Sequence, residues 1–198
     1  VAAIIPARGG STGIKRKNLC MLGGKPLVVH SVEQAIACAA IHRVIVNSED
    51  DEIRQVALSH GAEVMDRPEE FTHDNSVQEV DRLLQWCVNK IESDGGIVDV
   101  VVLLYPTAPF REVATIESAI RMVTSHTYDS VLSLYEHPVY LWRKDGDTVM
   151  PMNYDPKMRG PRQKEDWNQL AENKAIYVMT RDLLMNTGCR LGGRIGYV

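Results

Sequence analysis

Arg8, Lys15, Arg16 and Lys17 crowd into one short segment with Gly9, Gly10, Ser11, Thr12 and Gly13, directly after the apolar run Val1 to Pro6. Glycine admits backbone torsions that other residues avoid, so main-chain N–H groups here can converge on one concavity. The basic side chains add countercharge, and the combination suits phosphate oxygens. Spacing excludes two standard phosphate loops: neither G-x-x-x-x-G-K-[ST] nor G-x-G-x-x-G opening a helix is present. A plainer alternative, a turn after a strand with a solvated basic rim, stays open on spacing alone. A second unusual loop, Pro106 to Arg111, follows the most hydrophobic run, Asp99 to Tyr105.

Both loops need a frame. The β-branched and apolar runs 1–6, 43–48, 62–65, 99–105, 130–135 and 174–179 predict strands. Between them, Pro26 to Ala40 predicts a helix. Glu49 to Glu52, then Ile53, Val56 and Ala57, predict a second one that begins on acidic residues and stops at Gly61. Helical spacing recurs at Val80, Leu83, Leu84, Cys87, Val88 and Ile91, and again at Val113, Ile116, Ile120 and Val123. This alternation predicts an α/β fold: a three-layer, Rossmann-like, mostly parallel sheet with helices on both faces. Ligands of such sheets sit outside the carboxyl ends of the strands, where both loops should open.

The periodicity breaks over 136–171, which carries Pro138, Pro151, Pro156, Pro161, Trp142, Trp167 and a hairpin-like Lys144–Asp147 turn. It reads as an arm inserted into a single domain spanning 1–198, gripping a partner subunit, with an ordinary surface loop as the alternative. The chain starts at Val1 and stops within a strand pattern, so it reads as a trimmed fragment.

With 198 residues, 44% apolar, 24% charged and a net charge of −4, the chain is neither a disordered tail nor a basic nucleic-acid coat. Its apolar runs are too short for a membrane span, and no secretory pattern precedes the first strand. Cys20, Cys38, Cys87 and Cys189 form no C-x-x-C pair, which fits reduced thiols in the cytoplasm. The six histidines form no cluster with them.

Five segments carry a resemblance, in order: IPARGGSTGIKRKNL from Ile4; Arg67-Pro68 within DRPEEFTHDNSVQ; LLYPTAPFR over 103–111; Pro161-Arg162-Gln163; and Glu172 to Tyr177. They resemble the signatures of the CMP-sialic acid synthetase family, whose first motif reads A-R-G-G-S-K-G-I-P-x-K-N. The resemblance implies a nucleotide-diphospho-sugar transferase type of fold and a nucleotidyltransferase activity. In that reaction the anomeric hydroxyl of a sialic acid or related nonulosonic acid attacks the α-phosphate of CTP, releasing pyrophosphate. It further implies that Ala7, Arg8, Gly9, Gly10, Ser11, Lys17 and Asn18 hold the triphosphate and that Arg67, Ser76 and Gln78 contact the cytidine. Tyr105, Thr107, Gln163 and Asn173 would face the acceptor, and Arg8, Lys17 and Arg162 would be catalytic, with Arg162 in a purely structural ion pair as its alternative. Magnesium as cofactor, a homodimer formed through the arm, and cytoplasmic or, in a nucleated cell, nuclear residence complete the expectation.

Three departures bear on it. Thr12 stands where the family has lysine, with Lys15 where proline is usual; Tyr105 replaces a glutamine; and the family's metal-binding aspartates lie beyond Val198, so no metal ligand is named. Two other readings keep the same fold: a nucleotidyltransferase for a sugar phosphate using another NTP, and a non-catalytic nucleotide-sugar binding protein.

Overall fold

In the computed structural model, which describes residues 1–10, 13–72, 77–158 and 169–198, strands and helices alternate as the periodicity predicts. The chain runs through β1 (Ala2–Pro6), a minor hairpin of β2 (Met21–Leu22) and β3 (Lys25–Pro26), α1 (Leu27–Ala37), β4 (Arg43–Ser48), α2 (Asp51–Ser59) and β5 (Glu63–Asp66). It continues through α3 (Val77–Ser93), β6 (Val100–Leu104), α4 (Val113–Thr124), β7 (Ser130–Glu136), the hairpin β8 (Trp142–Asp145) and β9 (Thr148–Pro151), β10 (Leu170–Thr180), α5 (Arg181–Thr187) and β11 (Ile195–Tyr197).

The main sheet has the order β11-β7-β10-β6-β1-β4-β5. β1 pairs in parallel with β4 on one side and with β6 on the other, while β10 runs antiparallel to β6. The sheet is therefore mostly parallel, and β10 is the exception that the alternation did not reveal. After β1 the chain crosses to β4 and β5 on one flank and only then to β6 on the other. The point where winding reverses, between the carboxyl ends of β1 and β6, is the crevice in which doubly wound sheets bind ligands. All five residues of β6 and the first four of β1 are buried, as strands covered on both faces should be.

Asp50 starts α2 by accepting from the backbone N–H groups of Glu52 and Ile53, so the acidic run is a helix N-terminus with Asp51 and Glu52 in its first turn. Arg111, the last residue of the LLYPTAPFR segment, is buried and holds the loop after β6 in place. Its Nε donates to Gln34 Oε1 at 3.0 Å, its Nη1 to the Tyr105 and Ala175 carbonyls at 3.0 and 2.8 Å, and its Nη2 to Ser31 Oγ. Burial lowers its pKa to about 10, and its hydrogen-bond partners are all neutral oxygens. Lys174 has a φ of 58°, in the left-handed region that favours glycine.

The chain divides into two compact units, Val1–Ser133 with Lys174–Val198, and Leu134–Asn173. In the second, β8 and β9 pair antiparallel around the predicted turn, with Gly146 at φ 58°. The Tyr154 ring packs against Tyr140 and Trp142, with centroids 4.5 and 5.7 Å away. Asn153 ties the Val139 carbonyl and the Gln169 side chain together. Among the described residues, no helix is long and apolar enough to cross a membrane.

Replacing Arg111 with methionine removes the donors of two backbone carbonyls. The expected loss is about 2–4 kcal/mol of unfolding free energy, measured by urea titration.

Candidate active site

The carboxyl ends of four parallel strands supply the site. Ala7 and Arg8 follow β1, Glu49 and Asp50 follow β4, Arg67 follows β5, and Tyr105 to Thr107 follow β6. Ala7 is fully buried and extends the sheet by donating its N–H to the Asn47 carbonyl at 2.9 Å, which launches Arg8 from the sheet edge. Arg8 is half-buried, with Nη1 3.5 Å from the Thr72 carbonyl.

The glycine loop is laced to the start of α2. Gly9 and Gly10 donate their N–H groups to Glu49 Oε1 at 2.8 and 3.4 Å. These donors form the anion nest that the glycines promised, but the anion is the chain's own carboxylate. Gly9 passes so close to Asp50 that an added Cβ would lie 2.5 Å from Oδ2, which is why glycine is required there. Arg16 donates to both Asp50 carboxylate oxygens at 2.9 Å and lies 2.9 Å from Glu52, so it tethers the far end of the loop to α2. Asn18 is buried, and its amide donates to the Arg8 carbonyl at 2.9 Å, fixing the backbone from which the Arg8 side chain projects. Lys17 opens the short turn Lys17–Leu19, and among the described residues its ammonium makes no ion pair.

Arg67 is buried beside Glu79, Nη2 to Oε1 3.5 Å, and donates Nε to the Phe71 carbonyl at 2.9 Å. Burial lowers its pKa, opposed by the Glu49 and Glu79 carboxylates and reinforced by the neighbouring Arg8 charge. Arg8, Glu49 and Arg67 therefore share one electrostatic neighbourhood. Tyr105 is mostly buried and accepts a hydrogen bond from Arg190, while Thr107 is exposed in the turn after it. Gln78 lies in the first turn of α3, and Asn173 belongs to the second unit. Ser11, Ser76, Arg162 and Gln163 lie outside the described residues.

Motif reading did not bring out Glu49, Asp81 or Arg190. Only Asp81 had a signal: it sits three and seven positions before Leu84 and Val88, a carboxylate on the apolar stripe of its helix. Among the described residues, no group of three or more His, Cys, Asp or Glu side chains is arranged to hold a metal. Glu49 Oε1 and both Asp50 carboxylate oxygens already accept from N–H and guanidinium donors.

The family model described as Cytidylyltransferase matches residues 2–177. N-acylneuraminate cytidylyltransferase A of Danio rerio is 33% identical over 202 residues, covering 100% of this chain and 45% of that protein. CMP-N,N'-diacetyllegionaminic acid synthase of Legionella pneumophila is 31% identical over 204 residues, covering 94% of this chain and 87% of that protein. The chain belongs to the CMP-sialic acid synthetase family of cytidylyltransferases. Its fold is also that of CMP:2-keto-3-deoxy-manno-octonic acid synthetase, solved in complex with CTP, with a TM-score of 0.69 at 19% identity over 100% of this chain and 89% of that one. This cytidylyltransferase chain spans less than half the length of the Danio rerio relative and of the N-acylneuraminate cytidylyltransferase of Oncorhynchus mykiss, 45% and 41% respectively.

Gly9→Ala is expected to cost about 1–3 kcal/mol, because the new methyl group collides with the α2 cap. In an Asp50→Gly background, where the carboxylate and the Cβ that the new methyl group would meet are both gone, the same change should cost less than half as much. Urea titration of the two single variants and the double variant reads the difference.

Proposed function

We propose that this chain is the catalytic domain of a CMP-nonulosonic acid synthetase, which transfers CMP from CTP to the anomeric hydroxyl of a sialic acid or related nine-carbon keto acid sugar. The observation that carries the reading is the juxtaposition at the switch-point crevice: a glycine loop with Arg8 after β1, and Tyr105 to Thr107 after the adjacent β6, in a chain of this family. The anomeric oxygen forms a bond to the α-phosphorus, the bond from that phosphorus to the bridging oxygen breaks, and pyrophosphate leaves. Such transfers need little covalent chemistry from the protein and much positioning and positive charge. Arg8 and Lys17 would neutralise phosphate oxygens. Arg67, at the end of β5, would face the cytidine, and Tyr105 and Thr107 the acceptor.

Glu49 gives the reading a physical requirement. Triphosphate oxygens that reach the Gly9 and Gly10 N–H groups must replace the carboxylate now bound there, because repulsion keeps the two anions from sharing the nest. Magnesium accompanying the triphosphate, and cytoplasmic residence with the cysteines as free thiols, belong to the same proposal. A homodimer through the second unit does too. That unit exposes Leu141, Trp142, Val149, Met150, Met152 and Met158, an apolar set suited to meeting another protein surface.

With the intact protein, pyrophosphate release should require CTP, a nonulosonic acid and magnesium, and should cease when the metal is chelated. Release with another NTP and a sugar phosphate would replace this reading, and tight CTP binding without turnover would make the protein a binding module. Arg8→Ala should abolish turnover with little change in melting temperature, and unchanged CTP consumption would remove Arg8 from the reaction. Deleting residues 135–171 should yield a monomer by light scattering, and a variant that remains dimeric would show that the interface lies elsewhere.

A further inference from the structure

A second polar cluster is buried at the same sheet edge, assembled from residues that no motif joins. Asp81 comes from α3, Tyr105 from the end of β6, Tyr177 from β10 and Arg190 from the segment after α5. Arg190 is 6% exposed. Its Nε lies 3.4 Å from Asp81 Oδ1, its Nη1 donates to the Tyr105 hydroxyl at 2.9 Å, and its guanidinium carbon lies 5.1 Å from the centre of the Tyr177 ring. The Tyr105 and Tyr177 rings meet edge to face at 6.2 Å. The main chain of Tyr105 is held as well, since its carbonyl accepts from Arg111.

This arrangement assigns a direction to the Tyr105 hydroxyl. A guanidinium has donors only, so the phenolic oxygen must be the acceptor of that bond and its hydrogen is left to point elsewhere. Among the described residues it meets no acceptor. Burial raises the phenol's pKa, with Arg190 opposing, so the group keeps its proton at neutral pH. A buried ion pair is costly to desolvate, and apolar side chains could fill the same volume, so Asp81 and Arg190 are not explained by packing alone. They are explained by what they hold: an O–H donor on a rigid ring, backed by positive charge, at the first residue beyond β6 and therefore beside the crevice that Arg8 borders from β1.

We propose that Arg190, anchored by Asp81, is a positioning residue that presents the Tyr105 hydroxyl as a hydrogen-bond donor to an oxygen of the acceptor sugar acid, so that the pair sets acceptor selectivity. The inference rests on the functional reading above, because it needs an acceptor in that crevice. It also accounts for tyrosine where the resembled pattern has glutamine. A glutamine amide carries its own donor, whereas the phenol is fixed as a donor through Arg190.

The test is steady-state kinetics of the intact protein with CTP and the nonulosonic acid that supports turnover. Tyr105→Phe keeps the ring and removes the hydroxyl. It should raise the KM for the acid about tenfold and leave the KM for CTP within about twofold, the effect of losing one directed hydrogen bond to a substrate oxygen. Arg190→Lys keeps a charge beside Asp81 but loses the planar fork, and should produce a comparable rise. The double variant should be no worse than Tyr105→Phe alone, because both changes remove the same contact. An unchanged KM for the acid in Tyr105→Phe would overturn the inference. So would equal rises for both substrates, or additive effects in the double variant. If Arg190→Lys melts at a much lower temperature, Tyr105→Phe decides alone. A wild-type protein that releases no pyrophosphate with any nonulosonic acid would overturn the functional reading and this inference with it, whereas normal wild-type turnover with an indifferent Tyr105→Phe would overturn this inference only.

Discussion

Parallel pairing of β1 with both β4 and β6 is the constraint from which the site follows. Because the three strands run together in register, Ile4 beside Ile45 and Leu103, their carboxyl ends finish at one edge. Three loops that are distant in sequence are delivered to one crevice. A purely antiparallel sheet would send alternate loops to opposite edges and separate Arg8 from Tyr105. The interior of the sheet makes this register hard to shift, since β6 and most of β1 are buried on both faces and a slip would disturb every layer.

Charge at that edge is organised by burial. Arg67 and Arg190 each meet a carboxylate from α3, Glu79 and Asp81 respectively, so one helix neutralises two arginines inside the domain. Arg111 is different. It is buried among neutral oxygens and binds two backbone carbonyls, a role in which its several fixed donors matter more than its charge. Arg8 and Lys17 are only half-buried. Basic residues that look alike in the sequence therefore divide into buried, partnered ones and half-buried ones according to what surrounds them.

The glycine loop shows the same economy. Its N–H groups form an anion site, and Glu49 occupies it while Asp50 caps α2 and anchors Arg16. One acidic run thus shapes both a helix start and a phosphate-type nest. The close approach of Gly9 to Asp50 makes the two features inseparable.

Much of the fold and part of the site were legible in the sequence. The 3.6-residue and two-face periodicities located the strands and main helices, because local burial repeats with the geometry of each element. The spacing of glycines and basic residues marked the loop after β1, and five ordered motifs identified the family. The antiparallel course of β10 was not legible, because a strand buried on both faces carries no mark of its direction. Nor was the split among the arginines. Asp81, Tyr105 and Arg190 come from three separate parts of the chain and are joined only when α3 and the segment after α5 dock at the β6 edge. Local pattern reports which side chains are buried. Which buried charges meet is set by register and helix docking, and these exist only once the chain has folded.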